Sequence, residues 1–183
     1  GLSAYDAGVL DPELADRVQD LMNGVLRRHG HLPDVAAALE ATYARLNLPE
    51  KVADVLDGQL ATATAPDERA ELLQRAAEHA EYTLIEPERA FAYYRRGLEE
   101  GHGEPGRFAV GMRRVGDVGV PGAAAVMIEL FDRFGMWRAL VEVLDGEAAL
   151  SADDLERAEC FHRAGEVLEH HIEDFEGAMV RYQ

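Results

Sequence analysis

What most constrains this chain is that it repeats itself. Val55-Leu56-Asp57-Gly58 recurs 88 residues later as Val143-Leu144-Asp145-Gly146. At the same offset Glu68-Arg69-Ala70-Glu71 returns as Glu156-Arg157-Ala158-Glu159, and Arg75-Ala76 as Arg163-Ala164. Glu78, Glu81, Glu88, Ala90 and Tyr94 meet Glu166, Glu169, Glu176, Ala178 and Tyr182, again without a gap. A thinner match precedes these, pairing Pro33, Ala36, Ala37 and Arg45 with Pro121, Ala124, Ala125 and Arg133. Two ungapped copies, about 19–94 and 107–182, therefore fill most of the chain. A fixed internal period marks an architecture of stacked units, each of which buries its apolar face against a neighbour. The competing account is a compact helical bundle with a chance echo.

The punctuation gives the type of unit. Alanine, leucine, glutamate and arginine dominate, and β-branched runs are scarce, which favours helix. Proline suits a first helical turn, where its missing N–H would be unpaired in any case. Prolines 12, 33, 49, 66, 87, 105 and 121 accordingly predict helix starts, with ends near His29, Leu46, Ala61, Leu84, Glu100, Val118 and Phe134. Three more helices are expected from Trp137, Ser151 and Glu173. Thr64 and Ser151 each stand three residues before an aspartate, which predicts capping-box starts. Helices of this length joined by short loops must lie antiparallel to their neighbours. The expected fold is all-α, with about ten helices.

Composition excludes several functions. Acidic residues outnumber basic ones 35 to 18, a net charge of −17. Such a field repels phosphate backbones, so no nucleic-acid partner is expected. The longest apolar stretch, Val118 to Leu130, is interrupted and falls short of the roughly 20 residues of a membrane span. No membrane insertion is expected, and the lack of a signal peptide near Gly1 points to a cytoplasmic location. The lone Cys160 leaves no internal disulfide and no cysteine-based zinc site, and its helix position suggests burial.

Candidate chemistry is thin. Gly101 to Gly106 matches G-x-G-x-x-G, but a helix rather than a strand precedes it, so it reads as a glycine cap and a proline start. No two of the seven histidines (29, 31, 79, 102, 162, 170 and 171) stand three or four apart on a helix, so no metal site is expected. Acidic pairs such as Glu99/Glu100 and Asp153/Asp154 complement helix ends. Neither a catalytic residue nor a cofactor is expected.

The segment Glu68 to Leu98 resembles a tetratricopeptide hairpin. Ala77 (Gly165 in the second copy) stands at the small position of its first helix. Ala90 and Ala178 open its second helix, Tyr94 and Tyr182 supply its aromatic, and Gly97 its next small position. Glu86-Pro87-Glu88-Arg89-Ala90 looks like the turn between them. The resemblance implies a right-handed α-solenoid of antiparallel hairpins that binds a protein or peptide on its surface. In that family basic side chains on first helices clamp a partner's carboxylates. Arg75, Arg113, Arg114 and Arg163 are the corresponding candidates here. Intra-helical pairing of Arg75 with Glu71 and of Arg163 with Glu159 is the alternative.

Tyr182 is followed only by Gln183, whereas Tyr94 is followed by a helix running on to Glu100. The chain is thus expected to be a piece of a longer array, or to pair with a second copy through its unfinished last repeat. A regulatory extension of a larger enzyme is a further reading.

Overall fold

The computed structural model of the chain describes residues 17, 20–22, 24–25, 28–29 and 32–183. The helix expected from Asp11 to His29, and the start of the first copy, lie largely outside the described residues. Nine α-helices stand among those described: α1 Pro33–Arg45, α2 Pro49–Thr62, α3 Pro66–His79, α4 Pro87–Glu100, α5 Pro105–Gly116, α6 Ala123–Arg133, α7 Trp137–Leu150, α8 Asp154–Val167 and α9 Phe175–Arg181. The chain divides into two compact units, 1–64 and 65–183. In the first, α1 packs on α2. In the second, each helix from α3 to α9 packs on the next, and α4 also touches α6. The molecule is all-α, repeat-like, and packed along its sequence.

The 88-residue period is also a period of backbone geometry. Pro49–Thr62 and Trp137–Leu150 have the same limits at that offset, as do Pro66–His79 and Asp154–Val167. Both of the latter helices then widen into a single π-helical turn, Ala80–Leu84 and Leu168–Ile172. Each turn is closed by a left-handed residue, Ile85 at φ 59° and Glu173 at φ 62°. The next amide reaches back across the turn, Glu86 to the Ala80 carbonyl and Asp174 to that of Leu168, both at 2.9 Å. Asn47 and Gly135 form a second matched left-handed pair, at φ 54° and 66°. Here the Leu48 and Met136 amides close back on Tyr43 and Phe131, which satisfies carbonyls at the ends of α1 and α6.

Several predicted helix ends shift for local reasons. Five prolines (33, 49, 66, 87 and 105) occupy first turns as expected. Pro121 does not, because Gly122 is left-handed at φ 73° and α6 begins one residue later. Thr64 makes no cap, since Ala65 holds the capping position without a side-chain bond. Before α8 the cap is Asp153, whose carboxylate accepts from the Leu155 and Glu156 amides. Ser151 Oγ lies 3.1 Å from Glu156, supporting that cap from outside.

The core is made of aromatic and aliphatic plugs set against small residues. Tyr43, Tyr94, Phe131, Leu73, Leu98, Met112 and Leu140 are fully enclosed, and no charged side chain is buried among the described residues. Tyr43 and Phe131 are counterparts at the repeat offset. Burying each such side chain contributes about 1.5–3 kcal/mol. Close approach between α4 and α5 depends on glycine. A Cβ on Gly97 would intrude on the Phe108 ring, and one on Gly111 on the Tyr94 ring. These contacts lock α4 against α5.

Candidate functional site

The second unit carries its arginines between helices that alternate along the sequence. The odd-numbered helices share one surface. Glu78 of α3 lies 4.0 Å from Arg107 of α5. Arg113 of α5 pairs with Glu142 of α7, and Arg181 of α9 meets Asp145 of α7 at 2.7 Å. On the even-numbered helices Arg163 of α8 meets Asp132 of α6 at 2.8 Å. Within the α3/α4 hairpin Arg69 forks onto Glu100 at 2.7 and 2.9 Å.

The most enclosed carboxylate of these pairs is that of Glu81, held by Arg114. The guanidinium grips both carboxylate oxygens, through Nε on one and through a terminal nitrogen 2.7 Å from the other. Tyr94 donates its hydroxyl to the same carboxylate at 2.7 Å, and the Tyr82 ring lies under the guanidinium at 5.3 Å. Burial works to raise the Glu81 carboxyl, but the Arg114 fork and the Tyr94 and Tyr82 hydroxyls together hold it below the ordinary carboxylate value. Burial, then the bond to Glu81, pushes the Tyr94 phenol well above its ordinary value. The second copy reproduces part of this cluster, with Tyr182 donating to Glu169 at 3.0 Å.

The four candidate arginines do not share one surface. Arg75 lines a groove between α3 and α5, with Glu78, Arg107 and Phe108. Arg113 and Arg114 line the next groove, between α5 and α7. Arg163 stands apart, in a groove between α6 and α8. Its carboxylate partner is Asp132 on another helix, rather than Glu159 on its own. Position 44, which answers Asp132 at the repeat offset, is alanine. Arg75 and Arg163 therefore match in sequence without matching in that pairing.

Apolar residues, which carried no binding signal in the sequence, complete the α5/α7 groove. Val110 is 62% exposed on α5, and Ala109, Met136 and Ala139 complete an apolar floor. Arg113, Arg114, Asp117 and Glu142 form the rim. The signal for the Glu81 cluster was present in the repeat, which retains both Glu81 and Tyr94 in its second copy.

The weaker candidates resolve simply. Gly101 and Gly103, both left-handed at φ 70° and 71°, form the loop that ends α4. His162 lies 3.6 Å from Glu166, while His171 stacks on Trp137 at 3.8 Å. Among the described residues no group of three or more His, Cys, Asp or Glu could hold a metal ion. Cys160 is half-buried rather than enclosed, and burial together with Glu147, Glu156 and Glu159 raises its thiol above the ordinary value. No described helix is long and apolar enough to cross a membrane.

Glu100 supplies a pH test. Arg69, with help from Arg96, holds its carboxyl down to about 2. A carboxylate depressed on folding contributes stability above its unfolded value, near 4.5, and loses it as pH falls through the folded one. Exposure to solvent screens the pair, so the contribution is about 1–2 kcal/mol. Acid titration of urea midpoints from pH 5 to pH 2 is expected to show this loss. Arg69→Met removes that part of the acid limb, and an unchanged limb in the variant would refute the assignment.

No protein-family model matches the chain, and no curated protein matches it.

Proposed function

We propose that the chain is a tetratricopeptide-like α-solenoid segment that works as a protein-interaction scaffold, by binding rather than by catalysis. The partner is a protein or peptide, and the docking surface is the α5/α7 groove. One observation carries this reading: Val110 lies open on an apolar floor whose rim holds guanidinium groups. A water-exposed apolar strip beside charges that can exchange partners suits an amphipathic ligand, because the floor supplies burial and the rim supplies register. The packing of helices along the sequence and the recurrence at 88 residues support the solenoid class. The solenoid's right-handed course follows from the family resemblance alone.

Arg113 is the better anchor of the two rim arginines. Its partner Glu142 is itself more than half exposed, so a ligand carboxylate can displace it at little cost. Arg114 is committed to Glu81 and positions the groove wall. Arg75 and Arg163 are assigned to neighbouring surfaces, where they tune the charge an approaching ligand meets.

The test is photocrosslinking from position 110 in the intact chain. A crosslinked protein is expected, and Arg113→Glu should weaken its capture by about tenfold or more, as loss of a hot-spot charge does. Capture unaffected by Arg113→Glu, or crosslinks that arise equally from a control position on α6, would defeat the reading.

A further inference from the structure

The α5/α7 groove does not end at its Arg113 rim. A second trough of about 610 Å³ continues from the first, of about 470 Å³, and shares Arg113, Asp117 and Glu142 with it. Residue numbers rise together on both walls. Val110 lines one end with Met136 and Ala139, and Arg113 meets Glu142 in the middle. Val143 and Glu147 line the continuation. The floor stays apolar to its far end, where Leu150 is 83% exposed. Among the described residues neither Asp117 nor Glu147 is in an ion pair. Asp117 caps the C-terminal end of α5, where the helix dipole already presents negative charge, so its carboxylate is poorly placed for the helix alone. Both arginines of that last turn are occupied, Arg113 by Glu142 and Arg114 by Glu81.

We infer that the groove takes a helix of a partner protein whose apolar row is flanked by one acidic and one basic side chain, about four residues apart. The inference rests on the scaffold reading and specifies its ligand. A ligand carboxylate that displaces Glu142 from Arg113 leaves three carboxylates, Glu142, Asp117 and Glu147, along the second trough. Covering them without a counter-charge is costly, because the ligand removes the water that screens them. A ligand cation over Asp117 offsets that cost, and the chain's net charge of −17 speeds its approach. The spacing follows from α5 itself. Arg113 and Asp117 stand about 6 Å apart along its axis, at 1.5 Å rise per residue, and a helix laid along the groove covers that in about four residues. Val110 belongs to the first trough and Leu150 to the second, so apolar anchors fall on either side of the charged pair. A wholly acidic helix is repelled by the same carboxylates, and a wholly basic one loses the bond at Arg113.

The probe is a synthetic peptide helix with leucines on one face and a glutamate and a lysine about four residues apart among them. A hydrocarbon staple on its far face holds it helical, since so short a helix is marginal in water. The labelled peptide is added to the full 183-residue chain, and binding is followed by fluorescence anisotropy. Saturable binding is expected. Asp117→Asn and Glu147→Gln should each weaken it about threefold or more. A peptide with glutamine in place of its lysine should bind the unaltered chain less tightly and lose nothing further to Asp117→Asn. Glu71→Gln, in the α3/α5 groove, should change neither. The inference is overturned if no peptide binds, or if Asp117→Asn and Glu147→Gln leave binding unchanged. It is also overturned if an all-lysine version of the helix binds as tightly, because general attraction to an acidic chain then suffices. Arg113→Glu keeps the two readings apart. Binding that needs Arg113 but neither Asp117 nor Glu147 leaves the scaffold reading standing and removes only this one, and the photocrosslinking result from position 110 does not depend on the peptide.

Discussion

Tyr94→Ala is expected to lower folding stability by about 3–5 kcal/mol, while Tyr182→Ala at the matching repeat position costs less than about 1 kcal/mol. The two residues share a sequence context and the same hydroxyl-to-carboxylate bond. They differ in what surrounds the ring. Tyr94 is enclosed, with Gly111 of α5 directly against it, so truncation leaves a cavity that rigid helices cannot close. Truncation also takes a donor from Glu81, a carboxylate in a poorly hydrated place that keeps Arg114 and the Tyr82 hydroxyl. Tyr182 is nearly half exposed, and water fills the space it leaves. Tyr94→Phe separates the two losses, keeping the ring and costing about 1 kcal/mol for the hydrogen bond. Urea denaturation followed by circular dichroism measures all three variants. Equal costs at positions 94 and 182 would show that α5 does not seal the first hairpin.

The second large effect is at Gly97, where helix propensity and packing oppose each other. Glycine inside a helix is normally about 0.5–1 kcal/mol worse than alanine, so adding a side chain should stabilise. Gly58 in α2 and Gly146 in α7 follow that rule, because a Cβ at either meets nothing within 4 Å. At Gly97 the added carbon would overlap the Phe108 ring, which is itself buried. Gly97→Val is therefore expected to cost about 2–3 kcal/mol, the usual scale of overpacking. Gly58→Ala and Gly146→Ala should each gain a few tenths of a kcal/mol up to about 1. Phe108→Leu in the Gly97→Val background should recover part of the loss, although alone it destabilises. Thermal melts of the four single variants and the double variant decide the matter. A stabilised Gly97→Val protein would mean that α4 and α5 can part without penalty.

The same opposition explains which features were readable before any coordinates. Helix starts at prolines 33, 49, 66, 87 and 105 depend on one residue's missing N–H and restricted φ, a local property that needs no tertiary partner. Pro121 failed because its neighbour Gly122 takes a left-handed conformation, and glycine permits that without demanding it. The π turns were illegible for a stronger reason. They end on Ile85 and Glu173, and a β-branched residue in the left-handed region runs against its own preference by roughly 1–2 kcal/mol. Only packing of the following helix can hold it there.

The candidate site divides in the same way. The arginines stood out by composition, and the repeat already linked Glu81 to Tyr94. Which carboxylate each arginine meets was beyond the pattern. Arg163 lies four residues from Glu159 along its helix yet pairs with Asp132, which is 31 positions away. A guanidinium on a long flexible stem reaches several acids, and the choice among them is made by the neighbouring helix that carries one within range.

Composition and periodicity, on their own, determined an all-helical chain, its helix spacing and its 88-residue recurrence, because these follow from interactions between residues a few positions apart. The three-dimensional packing alone decided that Arg163 meets Asp132 of a neighbouring helix and that Phe108 lies on Gly97. Such contacts depend on which surfaces meet, and residues distant in sequence carry no mark of that in their own neighbourhoods.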